Sequence, residues 1–300
     1  MTTKSITRAT GGQKDQIAAI VAALVKKLVA ETGIDQAGAQ KLISDASAFK
    51  DGLRDPLMAA IRAHGTINSF ANEEVPSRYG YLSGYRKPNP AAQEMTDLKR
   101  LFPQVKSYDE ATAAKELVPG AEGSFLIPRW QTIAPTYCEA VEIVLAKLKE
   151  TRNGRFYNYR EGQLGPDRLR ESAKKVEFFQ KLGKEQEGHD VLVVQAQFGI
   201  RHRGRSVQRA RFVMGEVECG LGAFEIGIML LLHPERLQHF DDLWIDASGD
   251  EYAPGAGGVF SYAPCFFFSG GTLEFDAGGV GRPDDSYGSA SAFVVVVPSE

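Results

Sequence analysis

A chain of 300 residues with 43% hydrophobic and 24% charged side chains has the balance of a globular protein with room for a sizeable core. Its net charge of −3 excludes a global basic field that would draw the whole molecule onto nucleic acid, so any such contact must come from a local patch. The three cysteines, Cys138, Cys219 and Cys265, are far apart and form no C-x-x-C pair, which argues against a disulfide framework or a cysteine zinc site and for small core residues in a reduced, cytoplasmic setting.

In chain order, the first third reads as helical, over 13–31, 35–46, 48–64 and 90–102. Ile17, Ile20, Val21, Leu24, Val25 and Leu28 recur on one helical face, after Lys14-Asp15-Gln16 and into Lys26-Lys27. That is the pattern of an amphipathic helix rather than a signal peptide, and no window approaches the length that crosses a bilayer. "RYGYLSGYRKPNP", 78–90, is a loop or short hairpin; "LVPGAEGSFLIP", 117–128, holds a strand at 124–127 with a boundary near 120. A helix follows over 135–150, with Pro135 in its first turn and Cys138, Val141, Leu145 and Leu148 as its stripe. A turn-rich connector at 152–166 leads to a helix over 167–182, with Leu169, Ala173, Val176 and Phe179 inward.

From residue 190 the period changes. A β-forming run at 191–198 precedes a helix over 206–217, with Val207, Ala210, Val213 and Val217 inward. Strands are then expected at 225–232, 243–246, 259–268, 272–275 and 291–297 between Gly- and Pro-rich turns. The fold class is α+β: a helical N-terminal region (1–120), a helical connector (121–189), and a C-terminal module (190–300) with a mixed or antiparallel sheet and one or two helices.

"FYNYREGQLGP", the strand–"FG"–helix unit at 190–217, "GLGAFEIG" at 220–227, "IDASGD" at 245–250, "GRPDD" at 281–285 and the closing "FVVVVP" resemble a recurring family of uncharacterised predicted proteins from small-genome candidate-phylum bacteria. The resemblance covers roughly 124–298, more clearly after 190. It implies that the C-terminal part is a genuine module and transfers no activity, ligand or catalytic residue.

The stretch "VVQAQFGIRHRGRSVQRARFVM", 193–214, raises the functional question. Gly199 and Gly204-Arg205-Ser206 nearly reproduce G-x-x-x-x-G-K-[ST], with strand, loop and helix in the right order to cradle phosphate. Arg205 stands where lysine belongs, the loop interior Ile-Arg-His-Arg is bulky, and Leu243-Trp244-Ile245-Asp246 is a short candidate for an acid-ending strand. An NTP-hydrolysing site is therefore not expected. Arg201, Arg203, Arg205, Arg209 and Arg211, with His202, occupy a window free of acids, just ahead of and inside a helix whose N-terminal end is itself positive. An anion docked at Ser206 would turn that conflict into a site; alternatively the arginines pair with the acid-rich stretch 216–251.

Two further segments interleave rings and cations: Arg78, Tyr79, Tyr81, Tyr85, Arg86 and Lys87, then Arg155, Phe156, Tyr157, Tyr159 and Arg160. Such mixtures bind single-stranded nucleic acid by stacking and backbone attraction, while tyrosines sit equally well half-buried beside turns. His233, His239 and Asp241-Asp242 match no familiar metal spacing, and Glu225, in an apolar run, could be a proton-transfer group or an ion-pair partner of Arg209 or Arg211. No G-x-S-x-G exists and "GLGAFEIG" misplaces the third glycine of a dinucleotide fingerprint, so no cofactor is expected. The leading expectation is a non-enzymatic binding or accessory protein that holds RNA or single-stranded DNA through Arg201, Arg203, Arg205, Ser206, Arg209 and Arg211, helped by Tyr79, Tyr81, Arg86, Tyr157, Tyr159 and Arg160. Two alternatives stand beside it. One is an enzyme acting on a phosphorylated small molecule, with Glu225 or His202 moving protons; the other is a module that binds a protein partner, its arginines paired internally.

Overall fold

A computed structural model describes residues 10–64, 68–255 and 257–293. The chain divides into two compact units, Met1–Ser69 and Phe70–Glu300. The first consists of α1 (Gly11–Glu31), α2 (Gln36–Ser44) and α3 (Ala46–His64). Thr10 and Gln13 close a capping box on α1, and Asp35 accepts from Gly38 N to cap α2. No residue of α1 or α2 is buried, and Ile17, Ile20, Leu24 and Leu28 stay exposed on the face the spacing predicts.

The second unit carries, in order, α4 (Ala91–Leu101), α5 (Glu110–Ala113), β1 (Gly123–Pro128), α6 (Tyr137–Thr151), β2 (Phe156–Asn158), β3 (Leu169–Glu171), α7 (Ala173–Glu185), β4 (Val191–Gln197), α8 (Val207–Met214), β5 (Glu218–Gly220), α9 (Ala223–Leu232), β6 (Trp244–Asp246), β7 (Asp250–Tyr252), β8 (Tyr262–Ser269), β9 (Thr272–Gly279), β10 (Tyr287–Ser289) and β11 (Ser291–Phe293). The class is α+β. One sheet is antiparallel, in the order β1–β4–β11–β5; β4 is buried along its whole length, and β1 pairs with it from Gly123↔Ala196 to Pro128↔Val191. The β1–β4 ladder spans the boundary expected near 190, and that position and 120 both lie within the Phe70–Glu300 unit.

The second sheet is mixed. β8 is its hub, pairing antiparallel with β6, β7 and β9, while β10–β6 and β2–β9 are parallel and β3 closes the edge beside β7. α6 and α9 pack together in the core, where Val141, Val144, Leu148, Phe224, Ile226 and Ile228 are fully buried. Each such side chain contributes about 1.5–3 kcal/mol relative to remaining exposed.

Three expectations are corrected. The run 225–232 is not a strand but α9, all ten of whose residues are buried. An unbroken apolar run has no period to separate buried strand from buried helix, and Glu225 tips it by accepting from Gly222 N at the helix start. The helix expected from 167 begins at Ala173, behind a Ser172 cap, because Leu169–Glu171 pairs with β7. The helix expected from 135 starts after Thr136, which forms a capping box with Glu139, so Pro135 lies outside the first turn. Residues 294–297 of the final expected strand lie outside the described residues.

Candidate functional site

The strand–loop–helix forms as its sequence order suggests. β4 leads through Gly199 (φ +128°), a turn at Ile200–His202 and Gly204 (φ +74°) to Ser206, whose side chain accepts from Arg209 N at 3.1 Å and caps α8. The place for an anion is filled from within the chain. Glu73 Oε2 accepts from Ser206 Oγ at 2.5 Å and Glu73 Oε1 from Gln208 Nε2 at 2.6 Å, so its carboxylate faces the helix N-terminus. The backbone follows it: Ser206 N donates to Glu73 O at 3.1 Å and Val75 N to Gly204 O at 2.7 Å. A Cβ at residue 204 would stand 2.1 Å from Val75 O, so glycine is what lets this strap lie on the loop.

The arginines divide among several acceptors. Arg201 donates to Glu218 at 3.1 Å, Arg203 to Tyr79 O at 2.9 Å, and Arg211 to Ser248 O and Asp250 O at 2.8 and 2.7 Å. Arg209 pairs with Glu74, and Arg205 lies 3.7 Å from the same carboxylate. The stretch 216–251 thus supplies partners to Arg201 and Arg211, whereas Arg205 and Arg209 use an acid from the strap. Arg205 also donates to His202 Nδ1 at 2.9 Å, which leaves His202 Nε2–H to donate to Glu218 at 2.7 Å. Burial pushes the His202 pKa below its usual value despite that carboxylate. Burial alone would raise Glu218 and Glu74, but hydrogen bonds and charge from His202 and Arg201 lower the first, and from Arg209 and Arg205 the second.

Tyr79 and Tyr81 belong to this same neighbourhood. Tyr81 OH donates to Glu122 at 2.5 Å and accepts from Ile200 N at 3.2 Å, and the Arg236 guanidinium covers its ring at 3.8 Å. Arg86 is exposed and donates to Tyr85 O at 3.2 Å. Tyr157, Tyr159 and Arg160 lie elsewhere, at the β2 edge of the mixed sheet. There they begin a row of rings that sequence reasoning did not assemble. Tyr157 pairs with Glu274 and Glu274 with Phe267; the β6–β8 register sets Trp244 opposite Phe267, and Trp244 pairs with Tyr287. Directly paired residues share a sheet face, so these side chains cross it in one line.

The rings touch in sequence. Centroids are 4.6 Å apart for Tyr157–Tyr159, 6.3 Å at 16° for Tyr159–Phe267, 5.1 Å for Phe267–Trp244 and 5.0 Å for Trp244–Tyr287, with Phe240 5.9 Å from Trp244. Tyr157, Tyr159 and Phe240 remain 55%, 47% and 54% exposed. Arg160 is held by Asp276 at 2.6 Å. Asp246 is pushed up to about 7 by burial and the charge of Asp284, with Arg211 opposing. Beyond Tyr287, Gly204 N donates to Tyr287 O and Arg203 pairs with Gly288. Arg203, paired with Gly288, falls on the face opposite Tyr287, while Arg205, beyond the Gly204 turn, is directed at His202 and Glu74.

A second group escaped the sequence reading. Lys175 is fully buried, with Nζ 2.7 Å from Tyr137 OH, 2.8 Å from Glu225, 3.0 Å from Asp250 and 3.4 Å from Glu171. Glu225 therefore pairs with Lys175, not with Arg209 or Arg211. Burial raises Glu225 to about 7 even though Lys175 pulls it down, and burial raises Glu171 as well. Burial would lower Lys175, but Asp250, Glu225 and Glu171 outweigh it and raise it. Glu171 and Glu225 form part of the wall of a cleft of about 690 Å³ between α7 and the ends of β1 and β4. The sequence signals were slight: the i,i+4 spacing of Glu171 and Lys175, and a lone acid in an apolar run.

The remaining candidates are absorbed by the fold. His233 Nε2 and Glu94 Oε1, both fully buried, lie 2.7 Å apart, and Asp242 accepts from Leu82 N, Ser83 N, Gln238 N and His239 N. Among the described residues no group of three or more His, Cys, Asp or Glu side chains is arranged to hold a metal, and no helix is long and apolar enough to cross a membrane. No family model, curated protein or solved structure matches this chain.

Proposed function

We propose a non-enzymatic binding protein whose contact surface is the ring row of the mixed sheet and whose ligand is a neutral sugar chain rather than RNA or single-stranded DNA. The observation that carries this reading is the single register line Tyr157–Glu274–Phe267–Trp244–Tyr287, its exposed Tyr157 and half-buried Phe267, Trp244 and Tyr287 flanked by the exposed rings of Tyr159 and Phe240. Ring faces receive the C–H faces of pyranose units, and the carboxylates of Glu274, Asp276 and Asp246 accept from sugar hydroxyls. A phosphate polymer needs cations that replace its counterions. Near the row stand Arg155, two residues before Tyr157, and Arg160, already held by Asp276, against those three carboxylates. Arg203 is spent on Tyr79 O and Arg205 on His202 and Glu74, and Glu73 occupies the helix N-terminus that a phosphate would use.

Affinity electrophoresis in soluble neutral polysaccharides (a xylan and a mixed-linkage glucan), with oligo(U) and oligo(dT) gel shifts alongside, tests the reading. Retardation by a polysaccharide is expected, insensitive to salt and reduced by about tenfold or more in Trp244→Ala and in Tyr157→Ala/Tyr159→Ala. Salt-steep oligonucleotide binding that Arg203→Ala/Arg205→Ala abolishes would instead favour the polyanion, and absence of polysaccharide binding would remove the sugar reading.

A further inference from the structure

The cleft beside α7 is independent of the ring row. Its inner wall presents Glu171 and Glu225, and its sides are lined by Ile127, Trp130, Val176, Phe179 and Leu192. These two glutamates and Asp250 share the single ammonium of Lys175, which leaves the group short of positive charge. The shortage is not spread evenly. Asp250 is saturated, with Oδ1 on Lys175 and Oδ2 taking Tyr137 OH at 2.6 Å and Ala223 N at 2.7 Å. Glu225 is 2% exposed; its Oε2 takes Gly222 N and Lys175, while Oε1 has no hydrogen-bond partner among the described residues. Glu171 contributes one long contact to Lys175.

The unfilled acceptor capacity therefore lies at the cleft wall, in a place largely shielded from water, where a charge-assisted hydrogen bond is strongest. We infer that this cleft binds a small organic ammonium ion with an apolar body, its N–H groups on Glu225 and Glu171 and its carbon chain against Val176, Phe179 and Leu192. An anion is disfavoured at this end by three carboxylates. Of the cations in the wall, Arg129 spends its guanidinium on the carbonyls of Gly183, Gln186 and His189, and Lys184 is exposed near Glu187.

Calorimetric titration at pH 8 with n-hexylamine, 1-hexanol and hexanoate separates charge recognition from burial of the chain. The ammonium is expected to bind at least about tenfold more tightly than the alcohol, and hexanoate more weakly than both. Glu225→Gln should lose about tenfold for the amine and leave the alcohol unchanged. Affinity for the amine should also fall between pH 8 and pH 6, as Glu225 takes up a proton among Lys175, Glu171, Asp250 and Tyr137. Gln180→Trp fills the cleft from an exposed position without touching the carboxylates, and it should block the amine in a protein that still folds. Equal binding of amine and alcohol, a preference for hexanoate, or full amine binding by folded Gln180→Trp would each overturn the inference.

Discussion

Lys175→Met removes the ammonium that Glu171, Glu225 and Asp250 share while keeping most of the side-chain volume. Taking one partner from a buried ion pair costs about 3–5 kcal/mol, because the remaining charge is left uncompensated. With three carboxylates within 3.4 Å of Nζ, the upper end of that range is expected at pH 8. The loss must depend on pH. In the variant Glu171 and Glu225, already raised by burial, lose the ammonium that holds them down, so the repulsion is complete above their folded pKa values and fades as pH falls towards the unfolded ones. Even in the parent, Glu225 is raised from 4.5 to about 7. The stability it contributes is present below the unfolded value and lost as pH climbs through the folded one, a swing of about 3 kcal/mol. Urea denaturation at pH 5 and pH 8 checks this by tryptophan fluorescence, since Trp130 and Trp244 both report the Phe70–Glu300 unit. The same loss at both pH values, or a loss below about 1 kcal/mol, would refute an anionic buried cluster.

The strap and the histidine give two more expectations. Glu73→Ala deprives Ser206 Oγ and Gln208 of their acceptor and should lower stability by about 1–2 kcal/mol, seen as a lower urea midpoint at unchanged slope. Millimolar inorganic phosphate should restore part of that loss in the variant and do nothing for the parent; equal effects on both would show that Glu73 does not occupy an anion position. His202, depressed by burial, contributes stability that is present above its unfolded value of 6.5 and lost as pH falls through its lower folded value. His202→Gln should flatten that acid-side slope, and an unchanged slope between pH 7 and pH 5 would point to other groups.

Much of the local structure was legible because its causes are local. The β4 run, the Ser206 cap and the glycines at 199 and 204 are written in consecutive residues, and they give the strand–loop–helix the sequence implies. The failures have a common physical source in residues that meet across long chain separations. α9 was misread because ten buried residues in a row carry no period. The ring row was invisible because it draws one residue from each of β2, β6, β8 and β10, and only the sheet register aligns them. The Lys175 cluster joins β3, α6, α7, β7 and α9, and the lysine sits beside Val176 where a charged residue reads as the solvated side of a helix.

The arginine loop shows how an electrostatic argument confined to one sequence window can miss the anion that the chain itself supplies. Cations gathered at a helix N-terminus do need an anion, and the sequence window holds none. The chain supplies it from more than 130 positions away, with Glu73 on Ser206 and Glu74 on Arg209. A phosphate polymer would have to displace both carboxylates, break the 73–206 and 75–204 backbone bonds, and leave the strap's own groups to water or a new partner. Each broken bond to a charged group costs about 1.5–3 kcal/mol unless the polymer replaces it. The polymer gains little in exchange, because Arg201 stays committed to Glu218 and Arg211 to the carbonyls of Ser248 and Asp250. The balance favours the internal anion, so the loop acts as a clamp that fixes the strap and β10 beside one another.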